Sequence, residues 1–206
     1  MTKCLFITMC LLWASNHPPN HGYAEPVCSA VWDLSQQYGY DPVLMAAQVW
    51  VESAWKPTIQ HPRSKATGPM QVKVHIIRSP RIGGSHWREE HLYQTWSGIA
   101  AGFLVRRHIE TEHIPLRCGG RAKKQLSKFQ GEELDLLWMH CYSAGSSCRN
   151  DTYISKARLF EAGMRLILAS QQQEWVIDPY GYEHQETCQA IPRDEGCVGP
   201  CVQRVE

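Results

Sequence analysis

The sequence has almost no net charge, no long apolar run and little sign of β-structure. Lys and Arg number 21 against 20 Asp and Glu in 206 residues. A basic excess, the usual footprint of a nucleic-acid or membrane-surface partner, is therefore missing. The longest mainly apolar stretch, Cys4 to Ala14, has eleven residues with Thr8 among them, well short of the ~20 that a membrane-spanning helix needs. No stretch alternates apolar and polar residues as half-buried strands do, and no internal repeat or low-complexity segment is present. No Cys-x2-Cys pair gives the spacing of a zinc site, and His17-x3-His21 spans Pro18-Pro19, which breaks the helix that such a pair would need. No cofactor is implied. With 43% hydrophobic residues the chain can still build a real core.

What is present begins with a leader-like N-terminus. Lys3 supplies a positive charge, the eleven-residue apolar run follows, and Gly22 and Ala24 offer small residues ahead of Glu25. This pattern predicts a signal peptide over 1–24 and a periplasmic or secreted protein with no membrane span after cleavage. The competing expectation is a buried N-terminal helix. Nine cysteines fit an oxidising compartment. Cys4 and Cys10 fall in the leader, so seven remain; Cys118 with Cys148 is a candidate loop staple, and an odd count leaves at least one thiol unpaired within the mature chain.

The remainder reads as mostly α. Val27, Ala30, Val31, Leu34 and Tyr38 are spaced three and four apart, and Gly39 ends that helix. Asp41-Pro42 is a helix start for the run from Val43 to Trp55, apolar nearly all round and so expected to be central. Residues 56–69 read as loop, Met70 to Ile77 as a short helix, and 78–87 as a second loop. Trp96 to Ile109, Leu134 to Tyr142 and Tyr153 to Ser170 read as further helices. From about 176 to 206, Pro, Gly and three cysteines mark a tail. The domain expected is 25–175, followed by this Cys/Pro/Gly-rich appendage at 176–206.

Glu52 stands out chemically. It lies near the C-terminal end of the most apolar helix, between Val49, Trp50, Val51 and Trp55. Desolvation and the negative end of the helix dipole would both raise its pKa, as a general acid at a glycosidic oxygen requires. An outward-facing or paired structural acid fits the same position. From Ser53 through Arg88 there is no Asp or Glu at all. The two-carboxylate glycosidase arrangement, with acids ~5–9 Å apart, therefore finds no partner in the adjoining loops. Glu89, Glu90 and Asp151 remain open as second acids. Cys141 could serve as a thiol nucleophile, although packing or a disulfide suits an exported helix better. The run Arg121, Lys123 and Lys124 reads as a solvated face or a contact to anionic polymer.

Three elements in order resemble the soluble, goose-lysozyme-like lytic transglycosylases, glycoside hydrolase family 23. Glu52-Ser53-x-Trp55-x-Pro57 leads to Ser64-x-Ala66-x-Gly68-Pro69-Met70-Gln71, Ile99-x-x-Gly102 follows, and Cys141-Tyr142-Ser143-Ala144-Gly145 precedes Tyr153-Ile154. The resemblance covers about residues 27–170. The chain differs from the family pattern in having Lys65 for a Gly, Pro69 for Leu, Gly98 for Asn, Cys141 for Ala and Ser143 for Asn. The resemblance implies a lysozyme-like single catalytic lobe holding a peptidoglycan glycan strand. Glu52 would protonate the leaving oxygen of the β-1,4 bond between N-acetylmuramic acid and N-acetylglucosamine. It would then act as base while the muramyl C6 hydroxyl closes a 1,6-anhydro ring. Ser53, Met70, Gln71 and Tyr142 would line the cleft, Tyr142 orienting Glu52 or the substrate; core packing is the alternative for Met70. Family members of this size often serve a secretion or conjugation apparatus. A hydrolytic muramidase and a non-catalytic cell-wall-binding assembly component are the rival expectations.

Overall fold

The computed structural model describes residues 1–17, 20–113, 138–139, 141–143 and 151–174, the side chains at 151 and 171–174 excepted. The chain is mostly helical, with no strand among these residues. Helix α1 spans Lys3–Ser15, α2 His21–Tyr38, α3 Pro42–Ser53, α4 Val74–Ile77, α5 Glu89–Leu92 and α6 Thr95–His108. A π-helical turn, Ile109–His113, extends α6, and α7 spans Asp151–Glu174. The expected tail at 176–206, the Cys118–Cys148 staple and the basic run at 121–124 lie outside the described residues.

Helix α3 is the hub. Asp41 caps it, its side chain accepting from the Val43 N–H at 2.8 Å, and Pro42 occupies the first turn. Every residue from Val43 to Val49 is buried, Gln48 included, as a run apolar nearly all round requires. Helix α7 packs along it with a stripe of Tyr153, Ile154, Ala157, Phe160 and Met164, all buried at helical spacing. On another side α2 bridges α3 to α6, where Phe103 packs against Tyr38 and Tyr40. Gly39, at φ +74°, ends α2 through its N–H to Ser35 O.

The apolar run at 4–14 forms α1, seated against α2 and α7. Phe6, Ile7, Met9, Cys10 and Ala14 are buried there, and Cys10 is disulfide-bonded to Cys28. Trp13 enters an aromatic cluster with His17, Trp50 and Phe160. Helix α2 begins at His21 and runs unbroken through Glu25 and Pro26, six residues ahead of the periodic stretch that announced it.

The expected helix from Met70 to Ile77 shrinks to Val74–Ile77. Thr67 instead pairs with Val72 as an isolated antiparallel bridge, and Gln71 turns with φ +49°. That conformation cannot continue a right-handed helix. The short helix α5 had no periodicity to announce it, since four residues make barely one turn. It serves the site indirectly. The Leu92 carbonyl lies so close to Gly68, itself at φ +79°, that any side chain at 68 would collide with it.

Candidate active site

The chain reverses sharply after Glu52. Ser53 closes α3 with its hydroxyl donating to Val49 O at 3.1 Å, and Ala54 and Trp55 follow with φ +50° and +64°. Consecutive left-handed non-glycine residues cost about 1–2 kcal/mol each. Burial of Trp55 offsets that cost. Its ring is fully enclosed, packs edge-on against Trp50 and Phe160, and donates Nε1–H to Ala46 O at 3.2 Å. The aromatic three residues after the glutamate is therefore the anchor of the reversal that ends α3 beside the cleft. Lys65 and Gln71 are the other non-glycine residues with positive φ, +57° and +49°. Lys65 stands where the resemblance has Gly, and its left-handed backbone explains why Gly suits that position.

A cleft of about 820 Å³ opens beside this reversal, within the range of small-ligand and oligomer sites. Glu52, Gln71 and Tyr142 line it, as do Cys141 and Ser143. Two other expected site residues are turned into the packing instead. Ser53 is buried and bonded to its own helix, and Met70 is fully enclosed beneath Gly102. A methyl group at Gly102 would overlap the Met70 side chain, so the Ile-x-x-Gly element makes room for the methionine. The contribution of Met70 to the cleft comes through its backbone: Met70 O accepts from the Tyr142 hydroxyl at 2.7 Å. Tyr142 thus braces the Gly-x-Met-Gln turn and does not orient Glu52.

The tyrosine that reaches the acid is Tyr153, whose hydroxyl donates to Glu52 Oε1 at 2.8 Å. Its place in the third matching element drew attention to it, but only the packing of α7 on α3 reveals the contact. Gln71 spends its amide on the loop, donating to Gly68 O at 2.8 Å and Ile59 O at 3.3 Å. This steadies the turn.

Burial is the main cause of a Glu52 pKa pushed up to about 7, against an ordinary 4.5; the Tyr153 hydrogen bond pulls the other way and does not offset it. Tyr153 and Tyr142 both have their ionisation pushed well above the ordinary phenol value, by burial first and the Glu52 carboxylate next. Both therefore remain hydroxyl donors. Glu52 is the one carboxylic acid among the described residues that line the cleft. Glu89 accepts from Gln60 Nε2 at 2.6 Å, and neither Glu89 nor Glu90 borders the cavity. The Asp151 side chain lies outside the described residues. Cys141 is disulfide-bonded, which takes it out of consideration as a thiol nucleophile.

Such a site can hold and release one proton near neutrality beside a groove, a task for a lone general acid/base. Comparison with protein-family models, with curated proteins and with solved structures returned no match. The chemistry must be argued from the geometry alone. Among the described residues no three His, Cys, Asp or Glu side chains converge as a metal site would require. No helix among them is long and apolar enough to cross a membrane.

Behind the cleft runs a second polar network. Arg106, 1% exposed, donates through Nε to Glu110 Oε1 at 2.9 Å and through Nη1 to Gln48 Oε1 at 3.2 Å. Tyr40 donates to the other Glu110 oxygen at 2.6 Å and lies under the guanidinium at 4.6 Å. This ties the α2–α3 connection, α3 and α6 together.

Proposed function

We propose that the protein is an exported peptidoglycan lytic transglycosylase, built on a lysozyme-like lobe with a Cys-rich C-terminal tail. The carrying observation is Glu52, the one carboxylic acid among the described residues that line the cleft, its pKa pushed up to about 7 by burial. At neutral pH about half of Glu52 retains its proton. It delivers that proton to the glycosidic oxygen as the bond between N-acetylmuramic acid and N-acetylglucosamine breaks. The resulting carboxylate, steadied by the Tyr153 hydroxyl, removes the proton of the muramyl C6 hydroxyl, whose oxygen closes the 1,6-anhydro ring. The proton lost in the first step is recovered in the second, and no water is consumed. An intramolecular nucleophile held by proximity removes the need for a second carboxylate, which agrees with the lone acid of this cleft. Tyr142 and Gln71 act mainly by holding the turn at 68–71 that forms one wall.

Digestion of purified peptidoglycan with mass analysis of the products tests this. Anhydro-muropeptides are expected, and reducing-end products would make the chain a hydrolytic muramidase. Binding to cell wall with no bond cleavage would make it a non-catalytic assembly component. The service of a secretion or conjugation machine, opening a local gap in the wall, belongs to the same proposal by analogy with enzymes of this size. So does removal of residues 1–24 as a leader. A chain cut before Glu25 loses α1 together with the Cys10 partner of Cys28. N-terminal sequencing of the exported protein distinguishes that outcome from a retained, disulfide-linked helix.

A further inference from the structure

The charge balance of the whole chain conceals a one-sided cleft. Among the described residues that line it, Glu52 is the one acid, and the basic side chains are Lys73, His61, His75 and His108. They come from three separate places: the loop after α3, the start of α4 and the last residue of α6. Lys73 has no ion-pair partner among the described residues. His61 accepts the Ser64 N–H at Nδ1, 3.2 Å away. Its proton therefore sits on Nε2, which remains a donor. His108 has Glu112 3.6 Å from its Nδ1 and is the least available of the four. A wall made of one free ammonium and several imidazole donors, with hydroxyls at Ser64 and Ser79 between them, suits an anionic oxygen ligand.

We propose that this wall binds the carboxylates of the peptides carried by a peptidoglycan strand, with Lys73 as the main contact and His61 and His75 as supporting donors. The inference rests on the cleft being the peptidoglycan site proposed above. It adds a preference: strands bearing acidic peptides bind better than bare or neutralised ones. Lys73 is half-buried and immediately precedes α4, so its stem is held while its ammonium reaches the cleft. The sugar backbone then runs past Glu52 while the peptide projects across the α4 side.

The test measures the Kd of the full chain carrying Glu52→Gln, which does not cut, for soluble peptide-bearing strands with carboxylates free or converted to amides. Amidation is expected to weaken binding about fivefold, the scale of one partly exposed ion pair. Lys73→Gln in the same background should weaken binding to free-carboxylate strands equally and abolish the difference between the two ligands. Lys73→Arg should restore it, which separates a charge contact from a folding defect. Equal affinity for the two ligands, or a Lys73→Gln chain that still discriminates, overturns the proposal. If carboxylate-dependent binding is found and the unmutated chain releases no anhydro product, the catalytic reading fails while this one stands.

Discussion

Glu52 and Glu110 are both partly buried carboxylates near the ends of core helices, yet their surroundings assign them opposite tasks. Glu110 has the Arg106 guanidinium on one oxygen and the Tyr40 hydroxyl on the other. Glu52 has the hydroxyl of Tyr153 and, among the described residues, no cation bonded to it. Partnered burial makes Glu110 a strut between the α2–α3 connection and the α6 extension. Unpartnered burial leaves Glu52 with a pKa of about 7, costly to stability and suited to proton transfer. The residue type is the same; the missing counter-ion makes the difference.

The comparison can be broken most severely by exchanging roles. Glu52→Gln should lower peptidoglycan cleavage about 10³-fold while the fold is kept, because the amide can still accept from Tyr153. Glu110→Gln should do the reverse. It removes the carboxylate that faces the buried Arg106 and costs about 3 kcal/mol in urea unfolding, while activity per folded molecule stays within a few-fold of normal.

The stability cost of Glu52 has a definite pH window. The unfolded chain releases this proton around 4.5 and the folded one around 7, so between those values the native state binds more protons. Stability therefore falls as pH rises through that interval and stays lowered above it. The whole effect is on the order of 2 kcal/mol once partial access of solvent is allowed for. Unfolding curves of the parent and Glu52→Gln chains should coincide at pH 4 and separate by that amount at pH 8, the variant being the more stable.

Smaller changes sharpen the same contrast. Gly102→Ala forces a methyl group into Met70 and should destabilise by about 1–3 kcal/mol. Because Met70 O holds Tyr142, some activity should be lost with it; urea midpoints beside initial rates measure both. Tyr153→Phe removes the hydrogen bond that lowers the Glu52 pKa. Its alkaline activity limb should move to higher pH, with less than about a tenfold change in rate at pH 6.

The legible parts of this molecule were those in which a residue's meaning is local. Asp41-Pro42, the apolar run after it and Gly39 announced α3 and the end of α2, since caps and periodicity act within a turn. Glu52 was legible because a carboxyl in an apolar helix is a conflict visible in the sequence itself. The Tyr153–Glu52 bond joins residues 101 apart, and the Tyr142–Met70 bond joins residues 72 apart. Neither has a local signal. Ser53 and Met70 were read as cleft residues because their neighbours are; one half-turn of backbone decides whether a side chain meets solvent or core. Met70 to Ile77 looked helical by composition, but the left-handed Gln71 and the Thr67–Val72 bridge prevailed over propensity. In the strut, the Arg106–Glu110 pair has the i,i+4 spacing of one helix, but the contacts that make it a strut, Tyr40 to Glu110 and Arg106 to Gln48, join residues 70 and 58 apart and leave no periodic trace.

The lone, desolvated acid is open to direct observation. Titration of the side-chain carboxyl carbons by NMR, with the Glu52→Gln chain assigning the signal by difference, follows its ionisation through pH 4 to 9. A midpoint near 7 is the predicted result. A midpoint near the ordinary 4.5 would mean that Glu52 is solvated or paired with a cation. It would contradict its assignment as the proton donor.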